Sequence, residues 1–202
     1  MKKYLFIIFA VCLTTCTTTA QTKKMDDAPL PYAEIPPAPE QFTAGSTVAR
    51  TIDGLGYRYY WATDGLTAAQ LNYEPGNEGR KTADVLEHLH GLSIMILNAT
   101  LQRPNINSVS STPTNFDELR AATLRNFYRA SQILRTATTE DLANFNIVFQ
   151  RGEKQSSFPF WNVLNGPLSD ALTHVGQIVS YRRSAGLPQN PKVNVFAGKN
   201  RQ

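Results

Sequence analysis

Ser169-Asp170-Ala171-Leu172-Thr173-His174-Val175-Gly176-Gln177-Ile178 is the stretch on which the reading of this 202-residue chain turns. Around it, Leu168, Leu172, Val175 and Val179 recur every three or four positions, the period of a helix with one apolar face. Asp170, His174, Gln177 and Tyr181 form a polar stripe beside that face. Asp170 and His174 are separated by one helical turn, so carboxylate and imidazole point the same way. Such a pair can grip one divalent metal if another helix supplies a third ligand.

The third ligand is sought among the three histidines of the chain. His88 and His90 belong to a second helical pattern, Thr82 to about Leu101, with Thr82 as N-cap, Asp84 in the first turn and Pro104 beyond the end. At about 100° per residue, Val85, Leu89, Leu92 and Ile96 share one face, and His88 lies about 60° from Val85 on its flank. His90 lies about 140° away and is expected to face solvent. Residues two apart on a helix diverge by about 200°, so the two cannot chelate one ion. His88 is therefore the ligand candidate, with no fourth ligand in view. Spacing alone does not decide for a metal: a flanking His is commonly a structural hydrogen-bonding residue, and an Asp-x3-His pair is commonly a surface contact.

Two more helices complete the pattern. One runs from about Ser46 to Thr63, with Val48, Ile52, Leu55, Tyr59 and Ala62 at helical spacing. Gly54 and Gly56 weaken it or allow another helix to approach closely. Tyr57, Tyr59, Tyr60 and Trp61 read as core and pocket-wall aromatics, and Arg50 with Asp53 as an ion pair on the opposite face. The other runs from an Asn115 cap to about Arg135 through Leu119, Ala122, Phe127 and Leu134, with Glu118 placed as in a capping box. Residues 143–160 alternate poorly and contain Gly152 and Pro159, giving a loop with a short hairpin at Arg151-Gly152. The last helix begins near Pro167 and ends near Gly186-Leu187-Pro188. Four long helices with polar connections predict an all-α protein, a four-helix bundle with that hairpin before the last helix.

The ends read differently. Lys2 and Lys3, the apolar run Leu5 to Leu13 and the small residues up to Ala20 form an export signal over residues 1–20, too short in apolar length to span a bilayer stably. Cleavage after Ala20 starts the chain at Gln21 and gives an exported, periplasmic protein. The alternative is lipidation at Cys16, which follows Leu13-Thr14-Thr15 and gives a membrane-anchored lipoprotein. Cys12 and Cys16 are the only cysteines, so a chain starting at Gln21 has neither disulfide nor thiol nucleophile. Residues 21–42, rich in proline from Pro29 to Pro39, form an extended leader. The bundle occupies 43–190, and 191–202 is an extended arm.

Several functions are set aside. The +4 formal charge includes Lys2 and Lys3, and the remaining basic residues are scattered, so no nucleic-acid footprint exists. Glu87-His88-Leu89-His90 lacks the spacing of a His-Glu-x-x-His zinc protease. There is no Gly-rich phosphate loop and no Gly-x-Ser-x-Gly elbow.

From about Thr43 to Phe196 the chain resembles the DinB/YfiT-like superfamily of metalloenzymes. The resemblance rests on Thr82-Ala83-Asp84-Val85-Leu86-Glu87-His88-Leu89 and, more strongly, on the run from Asp170 to Arg183. It implies a divalent metal held by one His of the second helix and a His-x3-His pair of the fourth. His88 matches the first of these positions and His174 the last, while Asp170 stands where the family has the first His of the pair. Aspartate ligates zinc, nickel, manganese or iron, so the set can survive with one more negative charge, shifted toward harder metals. The resemblance implies a metal-dependent hydrolase, a non-enzymatic metal- or ligand-binding helical module, or a metal-dependent thiol transferase. Export tilts the choice away from the thiol transferase, since small thiols are scarce outside the cytoplasm. The expected partner is a small-molecule substrate oriented by Gln177 or Tyr181, and a homodimeric state stays open.

Overall fold

The computed structural model describes residues 29–76, 78–106, 113 and 115–202. The segment 1–20 read as an export signal, with Cys12 and Cys16, and the first part of the leader lie outside them. Helix α1, Ala44–Thr63, opens with a reciprocal cap in which the Thr43 hydroxyl accepts from the Ser46 amide and the Ser46 hydroxyl accepts from the Thr43 amide. Its Ala49, Ile52, Leu55, Tyr59 and Ala62 are fully buried. Each large side chain removed from water in this way contributes about 1.5–3 kcal/mol.

A short helix α2, Ala68–Leu71, leads to α3, Thr82–Thr100. Lys81, not Thr82, is the N-cap, and it makes no side-chain capping bond. The Thr82 hydroxyl instead donates to the Tyr73 carbonyl. Strand β1, Pro104–Ile106, follows. Helix α4, Phe116–Thr136, is capped by Asn115, whose side chain accepts from the Glu118 amide. Helix α5, Thr139–Asn144, precedes β2, Asn146–Arg151, and β3, Lys154–Pro159.

The long helices α1, α3, α4 and the last, α7 (Ser169–Ser184), pack in a ring: α1 and α3 each touch both α4 and α7. The structure is mostly helical, yet it is not all-α. A three-stranded sheet, ordered β1-β2-β3, rests on α3 through β1 and β2. β1 pairs parallel to β2, and β2 antiparallel to β3. The expected hairpin at Arg151-Gly152 is present, with Arg151 opposite Lys154 and Gly152 at φ 59° in the two-residue turn. The parallel β1 leaves no signal in the sequence, because three residues carry no periodicity.

Before α7 the chain forms α6, Trp161–Val163, and a π-helical turn, Leu164–Leu168. Pro167 lies inside that turn and Gly166 leaves helical geometry (φ −94°, ψ −112°). A ring nitrogen without hydrogen cannot continue the ladder, so the regular helix starts at Ser169. Asp170 thereby occupies the first turn of α7, where the positive end of the helix dipole favours a carboxylate.

The leader is a docked segment. Tyr32 is 3 % exposed, and a Cβ on Gly56 would lie 2.4 Å from its ring, so Gly56 admits the leader's aromatic rather than another helix. The tail is not an extended arm. It folds into turns, its Gly198 carbonyl accepts from the Ile35 amide and its Asn200 side chain accepts from the Tyr57 hydroxyl.

Candidate metal centre

His88 sits in the second turn of α3 and faces the first two turns of α7, where Asp170 and His174 project from one side. His88 Nε2 lies 3.0 Å from Asp170 Oδ2, and His174 Nε2 lies 3.3 Å from Asp170 Oδ1. The two imidazoles meet edge to face, with ring centroids 4.7 Å apart. One donor atom from each of the three residues lies within 4.8 Å of the others, close enough for all three to hold one metal ion. The Asp170 side chain is 44 % exposed and that of His174 19 %, so the cluster opens to solvent through the carboxylate.

Gln177 and Tyr181 extend the cluster along α7. Gln177 Oε1 stands 2.7 Å from His174 Nδ1, and Gln177 Nε2 donates to the Tyr181 hydroxyl at 2.5 Å. The Tyr181 ring packs edge-on against Tyr73, 5.7 Å between centroids. An apolar cavity of about 430 Å³, bounded by Ala44, Val48, Leu142, Phe160 and Leu164, includes none of these five residues.

His90 departs from expectation. It is 4 % exposed, and its Nδ1 meets the Thr123 hydroxyl at 3.1 Å. Helix α3 buries two faces: Val85, Leu89, Leu92 and Ile96 form one, and Leu86, His90, Ser93 and Leu97 the other. A wheel drawn for one apolar stripe assigns the second to solvent. His90 still takes no part in the cluster.

The expected Arg50–Asp53 pair does not form. Asp53 is fully buried, bound by Arg135 Nη2 at 2.8 Å, Tyr32 OH at 3.0 Å and the Ser131 hydroxyl. Arg50 donates to the Pro36 carbonyl instead. Burial first, and the Asp53 charge second, push the Tyr32 hydroxyl's pKa well above its usual range. Arg182 is buried and donates to the Trp61, Ala62 and Leu187 carbonyls. With Arg120, which donates to the Tyr60 carbonyl, it covers the last turn of α1, where no basic residue of the helix's own stands. These contacts span elements distant in sequence, and no local pattern carries them.

No family model matches the chain, and no curated protein matches it. Among solved structures, a DinB-like protein of Bacillus subtilis, YjoA, superposes with a TM-score of 0.52, covering 76 % of this chain and 99 % of that one at 14 % sequence identity. The chain has a DinB-like fold. At that identity the likeness concerns architecture alone, and the chemistry of this chain rests on its own side chains.

Proposed function

We propose that His88, Asp170 and His174 hold a divalent metal and that this DinB-like protein is a metal-dependent hydrolase of small molecules, exported from the cytoplasm. The observation that carries the proposal is the donor arrangement: two imidazole nitrogens and a carboxylate from two helices, each nitrogen 3.0–3.3 Å from a carboxylate oxygen. Tetrahedral zinc with bonds of about 2.0–2.1 Å separates neighbouring donor atoms by about 3.3 Å, close to the two nitrogen–oxygen separations here, and the three donors together lie within 4.8 Å of one another. Nitrogen and oxygen donors equally suit nickel, manganese or iron.

A bound cation would supply Lewis-acid polarisation and a more acidic water. The residues of the chain supply the rest. Three protein ligands would leave room for water or substrate on a bound ion, and the cluster is open to solvent at Asp170. The Tyr181 hydroxyl accepts from Gln177 and keeps its own hydrogen, so it can donate to a substrate oxygen beside the cluster. Export rests on Lys2-Lys3, the Leu5–Leu13 run and the absence of cysteine after Cys16. A mature N-terminus at Gln21 in the mass spectrum supports it, and a diacylglyceryl Cys16 replaces it with the anchored form.

A second reading, a non-catalytic binding module, is favoured by the same contacts, since a carboxylate between two imidazoles can be satisfied by protons alone. Elemental analysis of purified protein beside His174→Ala separates the two. One equivalent of metal, lost on substitution, together with turnover in a panel of esters and amides, is the expected result. Wild-type protein that stays metal-free under added zinc, nickel and manganese leaves the binding module. Bound metal without turnover of any panel member removes the hydrolase and keeps the centre.

A further inference from the structure

Both ring nitrogens of His174 face acceptors, Gln177 Oε1 and Asp170 Oδ1, so a neutral ring can serve only one of them with its hydrogen. Gln177 turns its amide nitrogen to the Tyr181 hydroxyl and its oxygen to His174 Nδ1. A carboxamide oxygen only accepts, so Nδ1 carries the hydrogen. In a neutral ring, Nε2 is then a bare lone pair, and it points at Asp170 Oδ1, itself only an acceptor, 3.3 Å away. Two acceptors face each other there, and a cation between them satisfies both. Turning the Gln177 amide over reverses every polarity. Its NH2 would donate to Nδ1, Nε2 would carry the hydrogen, and that hydrogen would close the gap to Asp170.

We infer that Gln177, anchored by Tyr181, is the positioning residue of the centre: it selects the Nδ1–H tautomer of His174 and so presents Nε2 as a ligand. This deepens the metal-centre proposal and rests on it. It also moves Gln177 from contact with substrate to support of a ligand, leaving Tyr181 as the group with a hydrogen to offer. Hydrogen-bond partners of ligating histidines commonly change metal affinity about 10–100-fold when removed.

The experiment is a chelator-competition titration of the full chain with Zn²⁺, repeated with Co²⁺. Gln177→Leu, which removes the acceptor, is expected to weaken both metals about 10–100-fold. Gln177→Glu, which keeps an acceptor at Nδ1, is expected to match or exceed wild type. Tyr181→Phe, which loosens the anchor, is expected to fall between. A companion measurement needs no variant: long-range ¹⁵N–¹H spectra of the zinc-loaded wild type should show His174 protonated at Nδ1. Gln177→Leu binding as tightly as wild type, or zinc-loaded His174 protonated at Nε2, overturns the inference and leaves the metal centre standing. A wild type that takes up neither metal overturns both.

Discussion

At His90 the imidazole donates from Nδ1 to the Thr123 hydroxyl, which donates in turn to the Leu119 carbonyl. Burial penalises the imidazolium and lowers its pKa below 6.5. In the unfolded chain the same ring takes up a proton near 6.5. Between the two values the unfolded state holds more protons, so this residue's contribution to stability is complete above about 6.5 and is lost as pH falls through the folded value. Urea midpoints measured from pH 8 to pH 5 should therefore decline by less in His90→Gln than in wild type. Parallel curves would sink that reading. The phase of α3 makes His88 legible from sequence because its stripe lies beside the dominant apolar face. His90 sits on a second buried stripe whose polar members Ser93 and Thr100 imitate a wet surface.

Helix α1 carries its history of contacts in small residues. Gly56 has the Tyr32 ring where a side chain would be, and Gly45 has the Leu134 carbonyl 2.5 Å from its would-be Cβ. Gly56→Ala should force the ring or the helix to move, at a cost of about 1–3 kcal/mol. Gly91, whose Cβ would meet nothing, should gain from alanine by about 0.5–1 kcal/mol, as in any helix interior. Denaturant midpoints of the two variants must move in opposite directions, and a stabilising Gly56→Ala would mean that the leader does not rest there. Helix periodicity set the four long elements within a few residues of their ends, since caps and apolar spacing are local. The sheet was half legible. Gly152 announced the hairpin, whereas the pairing of β1 with β2 joins residues more than forty apart, Pro104 with Val148, and leaves no local trace.

On the scale of the molecule, the leader and the tail tie the ring of helices together. Asp53, buried at the centre of Tyr32, Ser131 and Arg135, joins three segments, and Arg135 also donates to the Pro37 carbonyl. Asp53→Ala leaves Arg135 without its counter-charge and should cost about 3–5 kcal/mol. Tyr32→Phe removes one neutral donor and should cost about 1–2 kcal/mol. If calorimetry finds the two variants equally stable, the carboxylate is not the hub. None of this is legible from the Pro-rich composition, which describes the leader's stiffness and is silent about its partners.

The clasp also has a direction in time. Tyr32 and Ile35 are made early, Arg135 about a hundred residues later, and Gly198, whose carbonyl receives the Ile35 amide, later still. A growing chain can form α1 from its own local caps and spacing and offer the leader Gly56, Asp53 and Arg50, but the Arg135 and Ser131 half of the hub is missing until α4 has emerged, and the tail contact waits longer. Nascent chains halted before Arg135 should thus lose the leader to a brief protease pulse, while chains released after Gly198 should keep it.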